Sequence, residues 1–359
     1  MTFFKLPPHL VKILDSYLSN RTFFIQNGEL KSTAHPVFSA LPQGSILSPI
    51  LFSAFINDVS EALQVPFVLY ADDLVFHVSG QNAEDLIRDA EKTLLKLHLW
   101  FSEQGLLINF AKTKCMLFKK SKDRFQDEFD FIQCQNEKIE RVFVFKYLGM
   151  ILDPSLSFKC HATHVVNKTA SAVCKMHTLK RFLPITAFQV LVNAFVHSIA
   201  DFSLAIWGAV GETELEKVQK QVNKLLYSYF YSRLANKRKL KARNVDCNYM
   251  LATCNFYTVQ ERYCTALVKF LLKSKFVTLQ LPDMQNWFLF SENNRSSRVL
   301  PLLKVPIYVS KTSSLSVKCS AIKYWNSLPK SWELNVKQPF AIISNLKKLL
   351  ISQRSPTFL

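Results

Sequence analysis

The chain has 359 residues, 49% of them hydrophobic, which is enough apolar material for two or three buried cores and too much for a disordered polypeptide. Its 14 prolines and 7 glycines, with no fixed-period repeat, exclude collagen-like and solenoid architectures. The formal charge is +18, and residues 211–359 hold most of the excess, with 24 Lys and Arg against 8 Asp and Glu; such a field favours a polyanionic partner, with general stickiness as the alternative.

In chain order, Pro7-Pro8 precede a one-sided helical pattern with Leu10, Ile13, Leu14 and Leu18 on one face. Asn27-Gly28 in FFIQNGEL is a hairpin signal. A second helix is predicted within LPQGSILSPILFSAFINDVSEAL, where Pro49 fits a first turn and Leu51, Phe52, Phe55, Ile56 and Val59 share a face. Phe67 to Tyr70 and Leu74 to Val78 read as strands joined by a tight turn at Ala71-Asp72-Asp73. Asn82, with Asp85 three residues on, predicts a helix cap, the apolar positions Leu86, Ala90, Leu94, Leu97 and Phe101 follow, and Gly105 closes the helix. Strands are expected over 106–110, 114–118 and 142–148, around the charged surface excursion KKSKDRFQDEFD.

From Phe158 the pattern turns helical, with helices predicted over 159–181, 186–207 and 215–230. The basic run ANKRKLKAR at 235–243 reads as an exposed junction, and SENNRSSR at 291–298 as a polar loop. The eight cysteines contain no CxxC pair, and Cys160-His161 with His164 has no second cluster at zinc-finger spacing, so free thiols in a reducing compartment are expected. MTFFKLPPHL lacks a signal-peptide pattern, and the apolar stretch from Phe188 to Trp207 is interrupted by Asn193, His197, Ser198 and Asp201. These features predict an intracellular protein of cytoplasm or nucleus with no membrane partner.

Asp72 and Asp73 carry the sharpest chemistry. Adjacent carboxylates between apolar strands repel each other and resist desolvation, a penalty that a divalent cation reverses. Hard Mg²⁺ takes carboxylate and phosphate oxygens, and a turn presents the pair beyond the apolar ladder. An acidic solvated turn is the bland alternative, since period two sends neighbouring side chains apart.

The surrounding blocks PPHLVKILDSYLSNR, LPQGSILSPILFSAFINDV, FVLYADDLVF, GLLINFAKTKCMLF and FKYLGMILDPSLSF resemble, in order, the reverse transcriptases of non-long-terminal-repeat retrotransposons, in particular jockey-like elements. Weaker likeness continues through LAIWG at 204–208, LEKVQK at 215–220 and SAIKYWNSLP at 320–329. The resemblance implies that Asp72 and Asp73 are catalytic and hold Mg²⁺, with Mn²⁺ as a substitute. It implies that Gln43, Gly44 and Ser45 meet template and incoming deoxynucleotide, that Lys112 lies beside the triphosphate, and that Tyr147, Leu148 and Gly149 grip the primer end. Ala40 departs from the family, which has glycine there.

The same resemblance implies a further metal-binding aspartate on a strand ahead of PPHL. Only Asp15 precedes Asp58, it falls within a predicted helix, and none of the eight residues before His9 is acidic. The expectation is therefore an α/β chain with an incomplete palm over 1–155, a helical thumb-like region over 156–235 and a basic extension over 236–359. It would be a truncated, inactive RNA-directed DNA polymerase fragment with RNA and DNA as partners, or else a retained nucleic-acid-binding or protein-interaction module. Another polymerase chain supplying the absent strand is the remaining route to activity.

Overall fold

A computed structural model describes residues 6–118, 129–234, 246–276, 287–289, 300, 302–304, 316–329, 331–332 and 340–352. The basic run at 235–243, the polar loop at 291–298 and most of the charged excursion lie outside the described residues. Two compact units emerge, one from the described residues to 116 together with 129–142, the other from Leu117, Phe118 and the described residues from Phe143 onward. The chain is a mixture of helices and short two-stranded ladders.

In the first unit, α1 (Pro8–Leu18) starts on a proline whose absent N–H costs nothing at a first turn. Short strands β1 (Thr22–Phe23), β2 (Gln26–Asn27), β3 (Leu30–Lys31) and β4 (His35–Pro36) follow, with β1 paired to β4 and β2 to β3. The β2–β3 hairpin turns on Gly28-Glu29, one residue later than Asn27-Gly28 suggests, with Gly28 at φ +61°. Helices α2 (Leu47–Ile56) and α3 (Val59–Ala62) come next. The hairpin of β5 (Phe67–Tyr70) and β6 (Asp73–Phe76) then leads to α4 (Ala83–Glu103). The side chain of Asn82 accepts the Asp85 N–H at 2.8 Å and donates back to its carboxylate at 2.7 Å, so both partners of the predicted cap are engaged. After Glu103, Leu106 N–H bonds to Phe101 C=O at 2.8 Å and closes the helix beside Gly105.

The strands expected over 106–110 and 114–118 do not form. Asn109 instead folds the chain back, its carbonyl taking the N–H groups of Lys112 and Thr113, and Cys115 makes only an isolated bridge to Arg141. Backbone groups satisfied in a local turn are unavailable for a ladder. An unpredicted hairpin of β7 (Phe131–Cys134) and β8 (Glu137–Glu140) buries Ile132, Cys134 and Ile139 against Leu94 of α4.

The second unit opens with the hairpin of β9 (Phe145–Tyr147) and β10 (Met150–Leu152), shorter than the strand expected over 142–148. Among the described residues its α-helices are α5 (Lys159–Leu179), α6 (Ile185–Val192), α7 (Ser198–Asp201), α8 (Leu204–Trp207), α9 (Glu212–Leu234), α10 (Cys247–Thr253), α11 (Val259–Phe276), α12 (Val317–Ser327) and α13 (Ala341–Ser352). The helix predicted over 186–207 is divided by a π-helical turn at Asn193–His197 and a break at Phe202-Ser203. The cause lies in its stripe. Phe188, Val192, Val196, Ala200 and Leu204 are all buried and fall every fourth residue, a spacing that drifts about 40° per step on an α-helix. A wider turn brings the stripe back toward the core.

Among the described residues no single helix is long and apolar enough to cross a membrane; only the pair Ile185–Asp201 and Leu204–Val210, bent by 50°, has the length and composition. That pair places Phe188, Val192, Val196 and Trp207 inside the chain's own cores. One core joins α5, α8, α9, α11, α12 and α13, and the other joins α5, α6, α9 and α10. The SAIKYWNSLP block has a packing role here: Trp325 is buried, and the Asn326 amide exchanges two hydrogen bonds, 2.9 and 3.0 Å, with the backbone of Leu303.

Candidate functional site

The β5–β6 hairpin is amphipathic with period two. Phe67, Leu69, Leu74 and Phe76 pack into a cluster around Ile56, Val59, Leu63 and Leu97, while Val68, Tyr70, Asp73 and Val75 face outward. Tyr70 pairs with Asp73, so the turn is Ala71-Asp72 and Asp73 opens β6 instead of sharing the turn. Ala71 adopts φ +52°, which lets two residues reverse the chain. Both carboxylates are exposed at the end of an apolar ladder.

Two adjacent hard oxygen ligands suit Mg²⁺ or Mn²⁺. Among the described residues no group of three His, Cys, Asp or Glu side chains gathers to hold a metal. Asp15 is exposed on α1, and Asp58 stands at the break between α2 and α3. Asp72 and Asp73 are thus an exposed pair of carboxylates with no third ligand gathered beside them among the described residues.

Gln43, Gly44 and Ser45 lie in the loop before α2. Gly44 has φ +81°, and a Cβ there would meet nothing within 4 Å. Its glycine serves backbone direction and leaves open space above the loop. The Ser45 hydroxyl is committed within the protein, accepting the Leu47 N–H at 3.2 Å and the hydroxyl proton of Tyr17. Tyr17 thus ties α1 to this loop. Arg21 donates to the carbonyl of Ala40, whose φ of +114° explains why a relative would carry glycine there.

Lys112 is exposed in the turn organised by Asn109, whose side chain accepts the Lys112 N–H at 3.2 Å. The apolar cluster beneath the hairpin includes Ile108 and Phe52 as well, so one core anchors α2, the Asp72-Asp73 hairpin and the approach to Lys112. Tyr147, Leu148 and Gly149 belong to the other unit. Tyr147 ends β9 and pairs with Met150, and Leu148 at φ +44° and Gly149 at φ +85° form the β9–β10 turn.

Sequence reasoning passed over several groups that build this region. Tyr17 carries no local signal, because its partner lies 28 residues away. Asp153 did carry one: Ser155 and Ser157 follow it at the spacing of an Asx turn, and its carboxylate accepts from both. His161 is buried and its Nδ1 accepts the Ile151 N–H at 3.2 Å, fixing β10 to α5. Burial first, then the charges of His164 and Lys168, holds this imidazole below its ordinary pKa and keeps Nδ1 free to accept.

The reverse transcriptase (RNA-dependent DNA polymerase) family matches residues 1–152, a span that includes Gln43, Gly44, Ser45, Asp72, Asp73, Lys112, Tyr147, Leu148 and Gly149. The chain is similar to jockey-like reverse transcriptases. It is 24% identical over 224 residues to the RNA-directed DNA polymerase from mobile element jockey of Drosophila melanogaster, covering 59% of this chain and 24% of that protein. It is 22% identical over 227 residues to the probable RNA-directed DNA polymerase from transposon BS of the same species, covering 60% of this chain and 25% of the relative. The jockey polymerase of Drosophila funebris is 21% identical over 258 residues, covering 68% of this chain and 27% of its own length. The chain thus spans about a quarter of the length of these curated relatives. No solved structure matches it.

Proposed function

We propose that this chain is part of an RNA-directed DNA polymerase of a jockey-like retrotransposon, with a palm over 1–155, a thumb-like helical region over 156–235 and a basic extension over 236–359. The observation that carries the reading is the hairpin that presents Asp72 and Asp73, exposed and adjacent, at the end of an apolar ladder inside the family match. In nucleotidyl transfer these carboxylates would hold Mg²⁺ or Mn²⁺, which supplies charge stabilisation for the attacking oxygen and the transferred phosphate. Lys112 contributes a point charge suited to a triphosphate. The open space above Gly44, next to the amide of Gln43, gives template and incoming deoxynucleotide room to approach the backbone. The Leu148-Gly149 turn meets the primer end.

The chain alone does not synthesise DNA in this reading, because a two-metal transfer needs carboxylates from both sides of the site and positioning supplies much of the rate. Primer extension on an RNA template with the purified chain, all four deoxynucleotides and Mg²⁺ or Mn²⁺ tests this, run beside Asp72→Ala and Asp73→Ala. No extension by any of the three is expected. Extension that disappears in the variants would overturn the inactive reading and point to a complete site, formed within the chain or with a second copy.

A retained nucleic-acid-binding module is the second reading, favoured by α5. This helix contains no Asp or Glu, and its exposed positions include Lys168, Asn167, Ser171 and Lys175. RNA and DNA are the fitting partners, held through phosphate with little sequence preference.

A further inference from the structure

The Leu148-Gly149 turn is placed by side chains that lie far from it in sequence. A Cβ built on Gly149 would stand 3.0 Å from both Cε1 and Cζ of Phe202, so the phenyl ring rests directly on the turn. Phe202 occupies the break between α7 and α8, followed by Ser203 at φ +52°. Its N–H bonds to Ser198 C=O at 3.2 Å, and its own C=O accepts Trp207 Nε1–H at 3.0 Å. Trp207 is fully buried, and its indole lies steeply tilted to the His161 ring at 68°, with ring centroids 5.9 Å apart. His161 in turn receives the Ile151 N–H of β10 at 3.2 Å. The β10 edge of the hairpin is thus held through His161 and its tip through Phe202, and both holds converge on Trp207.

A core role does not account for Phe202. Half of its surface is exposed (50%), while the neighbouring stripe residues Ala200 and Leu204 are 1% exposed. A large aromatic left half in solvent, with its backbone fixed on both sides and its ring against a glycine, has the properties of a prop. We propose that Phe202 is a positioning residue that sets the height and direction of the Leu148-Gly149 turn against the 3′ end of a primer strand. This inference rests on the assignment of that turn to the primer end made above.

The test uses the full chain and two labelled DNA–RNA duplexes of equal paired length, one with a recessed DNA 3′ end and one blunt. Equilibrium binding gives the ratio of the two affinities for the unmodified chain, Leu148→Ala, Phe202→Ala and Phe202→Tyr, with thermal unfolding of each variant. The unmodified chain is expected to prefer the recessed end by about fivefold, the equivalent of roughly 1 kcal/mol. Leu148→Ala and Phe202→Ala should both abolish the preference, Phe202→Ala should keep the blunt-duplex affinity, and Phe202→Tyr should restore the ratio. A ratio lost in Leu148→Ala but kept in Phe202→Ala overturns the positioning role and leaves the primer-end assignment standing. A ratio near one in the unmodified chain, or unchanged in Leu148→Ala, overturns both. Equal weakening on both duplexes by Phe202→Ala marks a general structural contact and also overturns the proposal; Phe202→Tyr decides the matter if the alanine variant unfolds.

Discussion

The carboxylate of Asp153 accepts from Ser157 twice, from its N–H and its hydroxyl, each at 3.1 Å. Ser155 donates to the same carboxylate through its N–H and hydroxyl, and the Phe158 N–H joins at 3.1 Å. This one side chain therefore organises the turn that carries Leu156 at φ +51° and Phe158 at φ +57° into α5. It stands between the β9–β10 hairpin and the helix that steadies it.

Burial by itself would raise the Asp153 pKa, but the serine donors outweigh it and hold the group below its ordinary value of 3.8. A depressed carboxylate pKa contributes stability that is complete above the unfolded pKa and is lost as pH falls through the folded one. Asp153→Ala should cost about 2 kcal/mol at pH 7, because it removes the charged acceptor and leaves several donors without it. Urea unfolding of both proteins should show that gap at pH 7 and a narrower one below about pH 3.8, the unfolded-state value. A gap of the same size at both pH values would contradict the assigned role.

Ala40 offers a prediction of opposite sign. Its φ of +114° is a conformation that a side chain disfavours, and its carbonyl is held by Arg21. Ala40→Gly relieves the strain at the expense of a more flexible unfolded chain, and a net gain of about 0.5–1 kcal/mol is expected. Chemical denaturation should move to higher midpoint with unchanged slope. A lower midpoint would show that the local backbone is not strained.

Thiol chemistry provides a check on packing. Cys160 and Cys174 are exposed on α5, whereas Cys134, Cys254, Cys264 and Cys319 are buried. Burial pushes the Cys254 thiol up to about 11, which leaves little thiolate at neutral pH. Mass spectrometry after a short pulse of a thiol reagent at pH 7.5 should find Cys160 and Cys174 labelled first. Cys254 should label only after unfolding; early labelling of Cys254 would contradict the core around Met250, Leu251 and Phe256.

Much of the local structure was legible in the sequence because its causes are local. The Asn82 cap, the ending at Gly105 and the β5–β6 hairpin each arise from neighbours within a few residues, where side-chain period and backbone preference act directly. The position of Asp72 and Asp73 at the end of apolar strands followed from that alternation. The β7–β8 hairpin was hidden because it buries few apolar side chains amid charged neighbours, and Gln135 at φ +51° gives its turn no glycine to announce it.

What only the tertiary structure decided involves partners that no short window contains. Tyr17 reaches Ser45, His161 takes the Ile151 N–H, and Phe202 rests on Gly149. A tyrosine, a histidine and a phenylalanine have no fixed local use, so their roles appear only when packing has closed the intervening loops and brought each beside one backbone group. The sequence by itself determined the acidic hairpin and the apolar face of α4. Packing decided which of those elements are held still, because rigidity comes from contacts between segments and not from the preferences within them.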